Sequence, residues 1–595
     1  MRGLKKRWQA AALLLGVGLG VSTTGLLAGC SSCSKESGPA SPTAGLKVTL
    51  LSAPLEGLKA PADVLAYGGT GPVDTTLGQF GALATQAGLP MPDPRAQIGL
   101  ALKAELGLKD EKVIDLKRGV RFAVLNPKQF QAAPLALIFG ITSKDAFVAA
   151  LPDGKKADDE GNTYSFLKFP GSTEASYVNF TSDWVIVTHA PTLFPHYREF
   201  LELLAFSEVS DAGGAVVAIR NLTTIYGADL DAGVADFKKS MRANMAMIPG
   251  AAQQTWLVDA LGDAVTQSAR DLDTLRVTFD TLPDGLRLQV GFHPKVASEL
   301  AKSFGELKGT GTGALLARMP ADAPFFAWAN LPTERLHAFG DKIAGMTVGA
   351  MLKDDPAKST EYTQAMKDAV GSFSGEFVVA AHGPVGGDGL ALTGLFGILD
   401  VAKARAAQTK LTGVYKEPGA MAYYQRVGLN VDMKPAAYAV GDTPVAVITT
   451  SAGDSNPQLK AMSAGLAELL TQHIALSKDL GVMAYGSDAR KTVEAVLGGT
   501  LPGGLDKAAG PVRALKQAAH NPLMVVYVSP VDVARRVRMN GLNPMAALLK
   551  DISATSGIAL SVGTDGGALE VVLDVPVEQV QKLNQAFQKT KGGGL

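Results

Sequence analysis

The feature that most constrains the fold is a set of short motifs that recur in the same order along the chain. Pro61-Ala62-Asp63 returns as Pro320-Ala321-Asp322, an offset of 259 residues. An apolar, strand-like stretch follows each copy, Val64 to Tyr67 in the first and Phe325 to Ala329 in the second. Recurrence of this kind is typical of a structural unit that one chain uses more than once.

Each strand-like stretch is followed by apolar residues at helical spacing, which predicts an amphipathic helix in both copies. The apolar positions are Leu77, Phe80 and Leu83 in the first helix, and Leu336, Phe339, Ile343 and Met346 in the second. Leu77 and Phe80 match Leu336 and Phe339 at the same offset of 259 residues, so both helices belong to the repeat.

A second correspondence lies further along the chain, at an offset of 257 residues. Leu137 to Ile141 resembles Gly394 to Ile398, and both segments predict a strand that runs into a helix. Ser143 and Asp400 stand where the helix N-cap is expected. A short polar side chain at that position can accept a hydrogen bond from a backbone amide of the first turn.

The two copies also end alike, at an offset of 283 residues. Alternating apolar residues predict a β-hairpin in each copy, with turns at Pro283-Asp284-Gly285 and at Thr564-Asp565-Gly566-Gly567. A helix follows each hairpin. The matched strand positions are Val277, Phe279, Leu286, Leu288 and Val290 in the first copy, and Leu560, Val562, Leu569, Val571 and Leu573 in the second.

We therefore expect an α+β fold made of two tandem homologous domains, at 46–309 and 310–595, with Gly309-Thr310-Gly311-Thr312-Gly313 as the junction. Hairpins require antiparallel pairing, so each domain is predicted to be a largely antiparallel β-sheet with helices packed on one face.

The second domain is longer, and a helix inserted near 456–480 would account for the difference. Its apolar positions are Leu459, Met462, Leu466, Leu469, Leu470 and Ile474. The alignment between the matched ends leaves two possibilities for Trp184 to Val187, which corresponds either to Val445–Ile448 or to Val482–Tyr485.

Residues 1–29 predict a secretory signal peptide, because a basic segment precedes an apolar run from Ala10 to Leu27. An uncleaved transmembrane helix is the alternative, since about 20 apolar residues can span a bilayer. Four glycines and two threonines within the run favour the signal peptide.

The run ends in Leu27-Ala28-Gly29-Cys30, which resembles the lipobox of bacterial lipoproteins. The resemblance implies cleavage before Cys30 and acylation of its thiol, with palmitate among the chains, so that Cys30 becomes the lipid attachment site. Ser31 follows Cys30, and in this family a residue other than aspartate implies the outer membrane, on its periplasmic side. Residues 30–45 predict a flexible spacer, since they are rich in small and polar residues.

Composition limits the kinds of partner that the chain is expected to bind. Lys plus Arg and Asp plus Glu number 56 each, without a block of like charge, so we expect no nucleic-acid partner. Cys33 is the last cysteine in the sequence, and it lies in the spacer. The body is therefore expected to be stabilised by packing and not by disulfide bonds.

Candidate metal and catalytic residues were sought among the seven histidines, which are His189, His196, His293, His337, His382, His473 and His520. A helix could bring His196 close to Glu199, with His189 nearby, and suggest zinc. A catalytic zinc site needs three protein ligands, so a polar helix face is the favoured interpretation.

Other motifs are equally incomplete. Gly371-Ser372-Phe373-Ser374-Gly375 has hydrolase-like glycines around a phenylalanine, and Ser32-Cys33-Ser34-Lys35 lies in the spacer. Gly386-Gly387-Asp388-Gly389 lacks the ending of a phosphate loop. Asp229, Asp231 and Asp236 resemble a calcium loop without its terminal glutamate.

The sequence thus predicts a non-enzymatic, membrane-anchored envelope lipoprotein that acts as a binding or scaffold module for an unknown envelope protein. No catalytic, cofactor or metal residue is predicted. Two alternatives stay open, a carrier of a lipid or other apolar ligand and an enzyme whose site carries no recognised motif.

Overall fold

A computed structural model describes 54–89, 99–101, 103–104, 106–130, 135–152, 155–156, 162–167, 175–209, 212–246, 255–309, 313–352, 354–383, 391–426, 428–453, 471–486, 488–536, 549 and 551–592. The predicted signal peptide, Cys30, the spacer, the loop at 386–389 and most of the glycine-rich junction lie outside the described residues.

The strands are β1 (Val64–Thr70), β2 (Val120–Leu125), β3 (Leu135–Gly140), β4 (Lys155–Lys156), β5 (Thr163–Leu167), β6 (Ala175–Thr181), β7 (Trp184–Thr188), β8 (Gly213–Val217), β9 (Leu272–Leu282), β10 (Gly285–Pro294), β11 (Phe325–Asn330), β12 (Phe373–His382), β13 (Ala391–Ile398), β14 (Leu429–Val440), β15 (Thr443–Ala452), β16 (Thr471–Ser477), β17 (Leu480–Tyr485), β18 (Pro522–Val528), β19 (Ile558–Asp565) and β20 (Ala568–Pro576).

The α-helices are α1 (Val73–Gln86), α2 (Lys144–Ala150), α3 (Leu193–Ala205), α4 (Ile219–Ala246), α5 (Thr255–Asp271), α6 (Glu299–Gly305), α7 (Thr333–Met351), α8 (Pro356–Val370), α9 (Val401–Val414), α10 (Pro418–Arg426), α11 (Ala489–Leu497), α12 (Ala509–Lys516), α13 (Pro530–Arg536) and α14 (Val577–Gly592). Short 3-10 helices lie at Leu55–Gly57, Glu111–Val113, Leu316–Arg318 and Leu505–Lys507.

The chain forms two compact units, each discontinuous in sequence. The first unit comprises 1–230, 268–298 and 575–584, and the second comprises 231–267, 299–574 and 585–595. The sequence prediction of domains at 46–309 and 310–595 concerns the repeat, whereas these units are defined by spatial contacts.

The strand order is the same in both units. In the first unit it is β4-β5-β6-β7-β3-β2-β1-β8-β9-β10, and in the second it is β14-β15-β16-β17-β13-β12-β11-β18-β19-β20. Every one of these pairings is antiparallel. The predicted α+β fold with a largely antiparallel sheet is confirmed.

The register of the pairings also corresponds between the units. Equivalent pairs are Ala66–Val217 with Phe325–Val528, Ile138–Ile186 with Leu395–Val482, and Phe279–Leu288 with Val562–Val571. The first members of these pairs are separated by 259, 257 and 283 residues, which are the offsets that the sequence comparison gives.

The turn before β7 corresponds to the turn before β17. Ser182 and Lys478 both adopt positive φ, at 52° and 33°. The carbonyl oxygens of the residues that follow accept equivalent hydrogen bonds, from the amides of Ile141 and Ile398, at 2.9 Å each. Strand β7 therefore corresponds to β17, with Trp184 matching Leu480. Of the two predicted alignments of Trp184 to Val187, the one with Val482–Tyr485 identifies this strand but is displaced by two residues.

The recurring Pro-Ala-Asp motifs form equivalent turns. The amide of Val64 donates to the carbonyl of Pro61 at 3.0 Å, and the amide of Ala323 donates to that of Pro320 at 3.3 Å. The predicted N-caps are also present, since Ser143 Oγ accepts from the amide of Ala146 at 3.2 Å. Asp400 caps α9 in the same way.

Helices cover both faces of each sheet, and the predicted single covered face is wrong. In the first unit Ile138 packs against α3 residues such as Leu201, whereas its neighbour Phe139 packs against Phe147 of α2 on the opposite face. A strand buried on both faces carries a continuous apolar run, as in β7, where all five residues are buried.

The second unit has the same arrangement. Leu395 of β13 packs in a cluster that includes Val493 of α11, and the adjacent Phe396 packs with Ala404 of α9. Successive strand residues point to opposite faces, so these two helices lie on opposite sides of the sheet.

The helix predicted near 456–480 does not extend through Ile474. Residues Thr471–Ser477 form β16, which pairs with β15 and β17. Ile474 and Leu476 pack on one face of the sheet and Ala475 on the other, so the segment lacks the alternation that would have indicated a strand. The part of the predicted helix at 454–470 lies outside the described residues.

Candidate functional site

The histidines considered for a zinc site lie apart from any metal-binding group. His196 and Glu199 are both exposed on α3, and Nδ1 of His196 lies 3.0 Å from the carbonyl oxygen of Thr192. His189 follows β7 and contacts Ser176 Oγ at 3.1 Å. In the part of the chain that the structure describes, no group of three or more His, Cys, Asp or Glu side chains could hold a metal ion.

Residues of two further motifs serve local structure, whereas the motifs at 32–35 and 386–389 lie outside the described residues. Ser372 lies in the turn between α8 and β12, where its hydroxyl donates to the carbonyl of Asp368 at 2.6 Å. Asp229, from the calcium-like motif, forms an ion pair with Lys128 at 3.1 Å and lies within α4. The helical backbone of α4 that carries Asp229 does not wrap acidic residues around a cation as a calcium loop does.

A buried hydroxyl–histidine pair that the sequence did not predict is formed by His382 and Thr393. The Thr393 hydroxyl lies 2.8 Å from Nε2 of His382, and Nδ1 of the ring lies 2.7 Å from the carbonyl oxygen of Gly383. A carbonyl oxygen can only accept, so Nδ1 carries the proton and Thr393 donates to Nε2. The spacing matches that of a nucleophile and its base.

Burial determines what this pair can do. His382 and Thr393 are both 0% exposed, so neither atom is available to a substrate from solvent. Burial lowers the pKa of His382, although the Gly383 hydrogen bond and Asp322 oppose the shift. The neutral imidazole therefore links β12 to β13 through its hydrogen bond with Thr393, and its other nitrogen binds the carbonyl of the next residue, Gly383.

The first unit contains a different buried polar group, the guanidinium of Arg121 on β2. Its Nε donates to the Ser207 hydroxyl at 3.3 Å, and a terminal nitrogen donates to the Ser207 carbonyl at 2.8 Å. The other terminal nitrogen donates to the carbonyls of Thr70 and Val120. All of these acceptors are neutral oxygens.

Arg121 is 5% exposed, and burial lowers its pKa to about 10. The side chain is still protonated at neutral pH, so the core of the first unit encloses a positive charge. Four hydrogen bonds and the face of Trp184, whose ring centre lies 5.6 Å from the guanidinium carbon, offset part of the desolvation cost.

Trp184 contacts a second arginine, Arg118, at 5.8 Å from its ring centre. Arg118 also forms ion pairs with Asp115 at 3.2 Å and with Asp183 at 2.9 Å. We call Arg118, Arg121 and Trp184 the arginine–tryptophan cluster. Its outer arginine is neutralised by two carboxylates, and its inner arginine is saturated by backbone and hydroxyl oxygens.

Glycines make room for this cluster. A Cβ atom at Gly69 or Gly119 would collide with Arg121, and one at Gly140 would collide with Arg118. These three glycines lie beside the cluster at β1, β2 and β3, where their lack of a side chain is required for space. Gly69 pairs directly with Arg121 across the two strands.

A third polar group lies in the second unit, on β14, β16 and α11. The Tyr438 hydroxyl lies 2.8 Å from Nδ1 of His473, and the Arg490 guanidinium lies 4.6 Å from the Tyr438 ring centre. Burial raises the pKa of Tyr438 to about 12, so this hydroxyl is protonated at neutral pH. Arg490 is itself paired with Glu494 at 2.9 Å.

Comparison with known proteins gives no relative: no protein-family model, no curated protein and no solved structure matches the chain. A search of the described helices finds none with the length and apolar character needed to cross a bilayer.

Proposed function

We propose that this protein is a lipid-anchored binding or scaffold protein of the bacterial cell envelope, tethered through Cys30. The observation that carries the proposal is the order of a basic segment, an apolar run and Leu27-Ala28-Gly29-Cys30 at the start of the chain. Each buried methylene of an acyl chain contributes about 0.8 kcal/mol to membrane binding, and two or more chains hold a protein stably.

We also propose that the two compact units descend from one duplicated domain. Their common strand order, their equivalent registers and the paired turns at Ser182 and Lys478 support this origin. A duplicated body presents two related surfaces from one anchor, which suits a protein that holds partners together.

The burial and the hydrogen bonding of the polar groups favour a binding function over catalysis. The His382–Thr393 pair is enclosed, and the donors of Arg121 are occupied by neutral oxygens. Tyr438 is a protonated phenol whose neighbour Arg490 is already paired. Each group stabilises the fold through its contacts. We expect the exposed charged residues to make the contacts with a partner.

The anchor is tested by changing Cys30 to alanine in the full chain and fractionating the cells. We expect the Cys30→Ala variant to lose its acyl chains, which mass spectrometry of the wild-type N-terminal peptide would detect. Cys33→Ala is the matched control and should keep the chains and the membrane fraction. Recovery of Cys30→Ala protein with unchanged acylation would contradict the proposal.

The Ser31→Asp variant tests which membrane of the envelope holds the protein. In lipoproteins that share this motif an aspartate after the cysteine tends to retain the protein at the inner membrane. We expect density-gradient separation to move the variant from outer-membrane to inner-membrane fractions. An unchanged distribution would remove the outer-membrane assignment and leave the lipid anchor intact.

The carrier alternative is tested on the same purified chain by native mass spectrometry and solvent extraction. A mass that equals the acylated chain supports the scaffold function. A stoichiometric apolar adduct that survives purification would contradict the scaffold function and support a carrier of that ligand.

A further inference from the structure

We propose that helix α4 contains a hinge at Tyr226, and that Lys128 is the latch that holds it in one bent position. Helix α4 runs from Ile219 to Ala246, but Tyr226 has φ −120° and ψ 16°, outside helical geometry. A sharp kink has an identifiable cause in most helices, and here the chain offers both a glycine and an inserted side chain.

The inserted side chain is Lys128, from the turn after β2. Its Nζ donates to the carbonyl of Ile225 at 3.1 Å and to Oδ2 of Asp229 at 3.1 Å. The same ammonium lies 4.3 Å from the centre of the Tyr226 ring. One cation therefore contacts the residue before the break, the residue at the break and the residue one turn beyond it.

Hydrogen bonds of the backbone fix the turn that carries Lys128. Its backbone amide donates to Oδ1 of Asn126 at 3.0 Å, and the backbone amide of Asn126 donates to the carbonyl of Asp63 at 2.8 Å. The latch thus projects from a turn that is fixed to the start of β1, while its target is the helix.

The beginning of α4 has a counterpart in the second unit. The amide of Ala218 donates to the carbonyl of Leu65 at 2.8 Å, and the equivalent amide of Ser529 donates to that of Pro324 at 2.7 Å. The helix that follows Ser529 is α13, whose last residue, Arg536, is the counterpart of Ile225.

Residues Ile219 to Ile225 of α4 therefore have counterparts in α13, and the break at Tyr226 follows them. Beyond it α4 continues to Ala246 and is joined to α5 by the ion pairs Lys238–Asp263, at 2.6 Å, and Arg242–Asp259. We call residues 227–246 and 255–267 the arm.

Two features make the break a hinge that can move. Gly227 follows Tyr226, and no atom of another described segment lies within 4 Å of the position that a Cβ would occupy there. The Lys128 and Asp229 side chains are 54% and 67% exposed, and exposed ion pairs contribute only about 0 to 1 kcal/mol. A latch of that strength can open and close reversibly.

Pulsed electron spin resonance on the full chain, with Cys30 and Cys33 changed to serine, tests the hinge. Spin labels at Thr224→Cys and Asp236→Cys, both exposed positions, report the bend because they lie on either side of Tyr226. We expect one narrow distance distribution with Lys128 present, and a broader and shifted distribution in Lys128→Met. Lys239→Met, an exposed lysine further along α4, is the matched control and should leave the distribution unchanged.

A second variant acts in the opposite direction. Gly227→Ala favours helical geometry by about 1 kcal/mol, so it should narrow the distribution and lengthen the mean distance. Asp229→Asn keeps the lysine and weakens the latch, which covers the case in which Lys128→Met does not fold. Identical distributions in Lys128→Met, Asp229→Asn and the parent would overturn the latch, and a single rigid distribution in every variant would overturn the hinge.

Discussion

The same corner of the sheet is packed differently in the two units. Where the first unit has Gly69 on β1 and Trp184 on β7, the second unit has Trp328 on β11 and Leu480 on β17. The indole thus lies on β7 in the first unit and on β11 in the second, and the corresponding position in the other unit holds a leucine or a glycine.

The buried charge changes sign with the indole. The first unit encloses the cation of Arg121, which stacks on Trp184, whereas the second unit encloses the carboxylate of Glu376. Oε1 of Glu376 accepts from the indole nitrogen of Trp328 at 3.2 Å and from the amide of Leu315 at 3.4 Å. In each unit a buried tryptophan thus contacts a buried charged side chain. That side chain is Arg121 beside Trp184 and Glu376 beside Trp328.

The largest expected effect on this comparison comes from Arg121→Ala. Loss of the guanidinium leaves the carbonyls of Thr70 and Ser207 buried without their donor and opens a cavity beside Trp184. Because each unsatisfied buried group costs about 1 to 3 kcal/mol, we expect a loss of at least about 3 kcal/mol. Native-state hydrogen exchange of peptides from β1 and β2 would measure it.

Arg118→Ala is the control for that experiment. Its side chain is 35% exposed and its acceptors are carboxylates that water can solvate, so its loss should cost no more than about 1 kcal/mol. Equal protection losses in the two variants would show that burial of Arg121 has no special role.

Glu376→Ala should have the next largest effect, confined to the second unit. The indole of Trp328 and the amide of Leu315 would lose their acceptor, at a cost of about 2 kcal/mol. Glu376→Gln retains a carbonyl oxygen at the same place and should cost less than about 1 kcal/mol. Exchange protection of β11 and β12 distinguishes the two variants, and a glutamine as damaging as alanine would mean that the negative charge itself is required.

Gly69→Ala should destabilise the first unit by about 1 to 3 kcal/mol, because the added methyl group overlaps the Arg121 side chain. Gly214→Ala is its matched control on the neighbouring strand β8. There a Cβ would meet its nearest atoms at 3.6 Å, which is an ordinary contact. Thermal unfolding of both variants would test the difference, and an unaffected Gly69→Ala protein would mean that Arg121 can move aside.

The sequence could predict the repeated elements because each carries its own local signal. The hairpin turns at Pro283-Asp284 and Gly566-Gly567, and the caps at Ser143 and Asp400, depend on residues adjacent in the chain. Local hydrogen bonding and turn geometry determine these features without help from the rest of the fold.

The polar groups could not be predicted because their members come from distant parts of the chain. Arg121 and Ser207 are 86 residues apart, and neither stands in a motif that indicates burial. The helix expected to continue through Ile474 failed for a related reason. A strand covered on both faces shows no alternation, and its neighbours Val447 and Ala484 lie in other segments.

The smallest effect is a pH dependence of the second unit, which contains His382 and His473. Burial lowers the pKa of each imidazole. The unfolded chain has a histidine pKa near 6.5, so below that pH it binds protons more readily than the folded chain does. Stability of the second unit should therefore fall as the pH decreases through about 6.5, by at most about 1.4 kcal/mol per pH unit for each histidine.

His382→Gln removes the more deeply buried of these groups and should reduce the slope, while His473 maintains the remainder. The exposed His189→Gln is the control in the first unit and should leave the slope unchanged. Hydrogen exchange of β12 and β13 between pH 5 and 7, corrected for intrinsic rates, would measure the dependence in the second unit alone. A slope that persists in full without His382 would show that protonation acts elsewhere, and that the enclosed imidazole is retained for its two hydrogen bonds only.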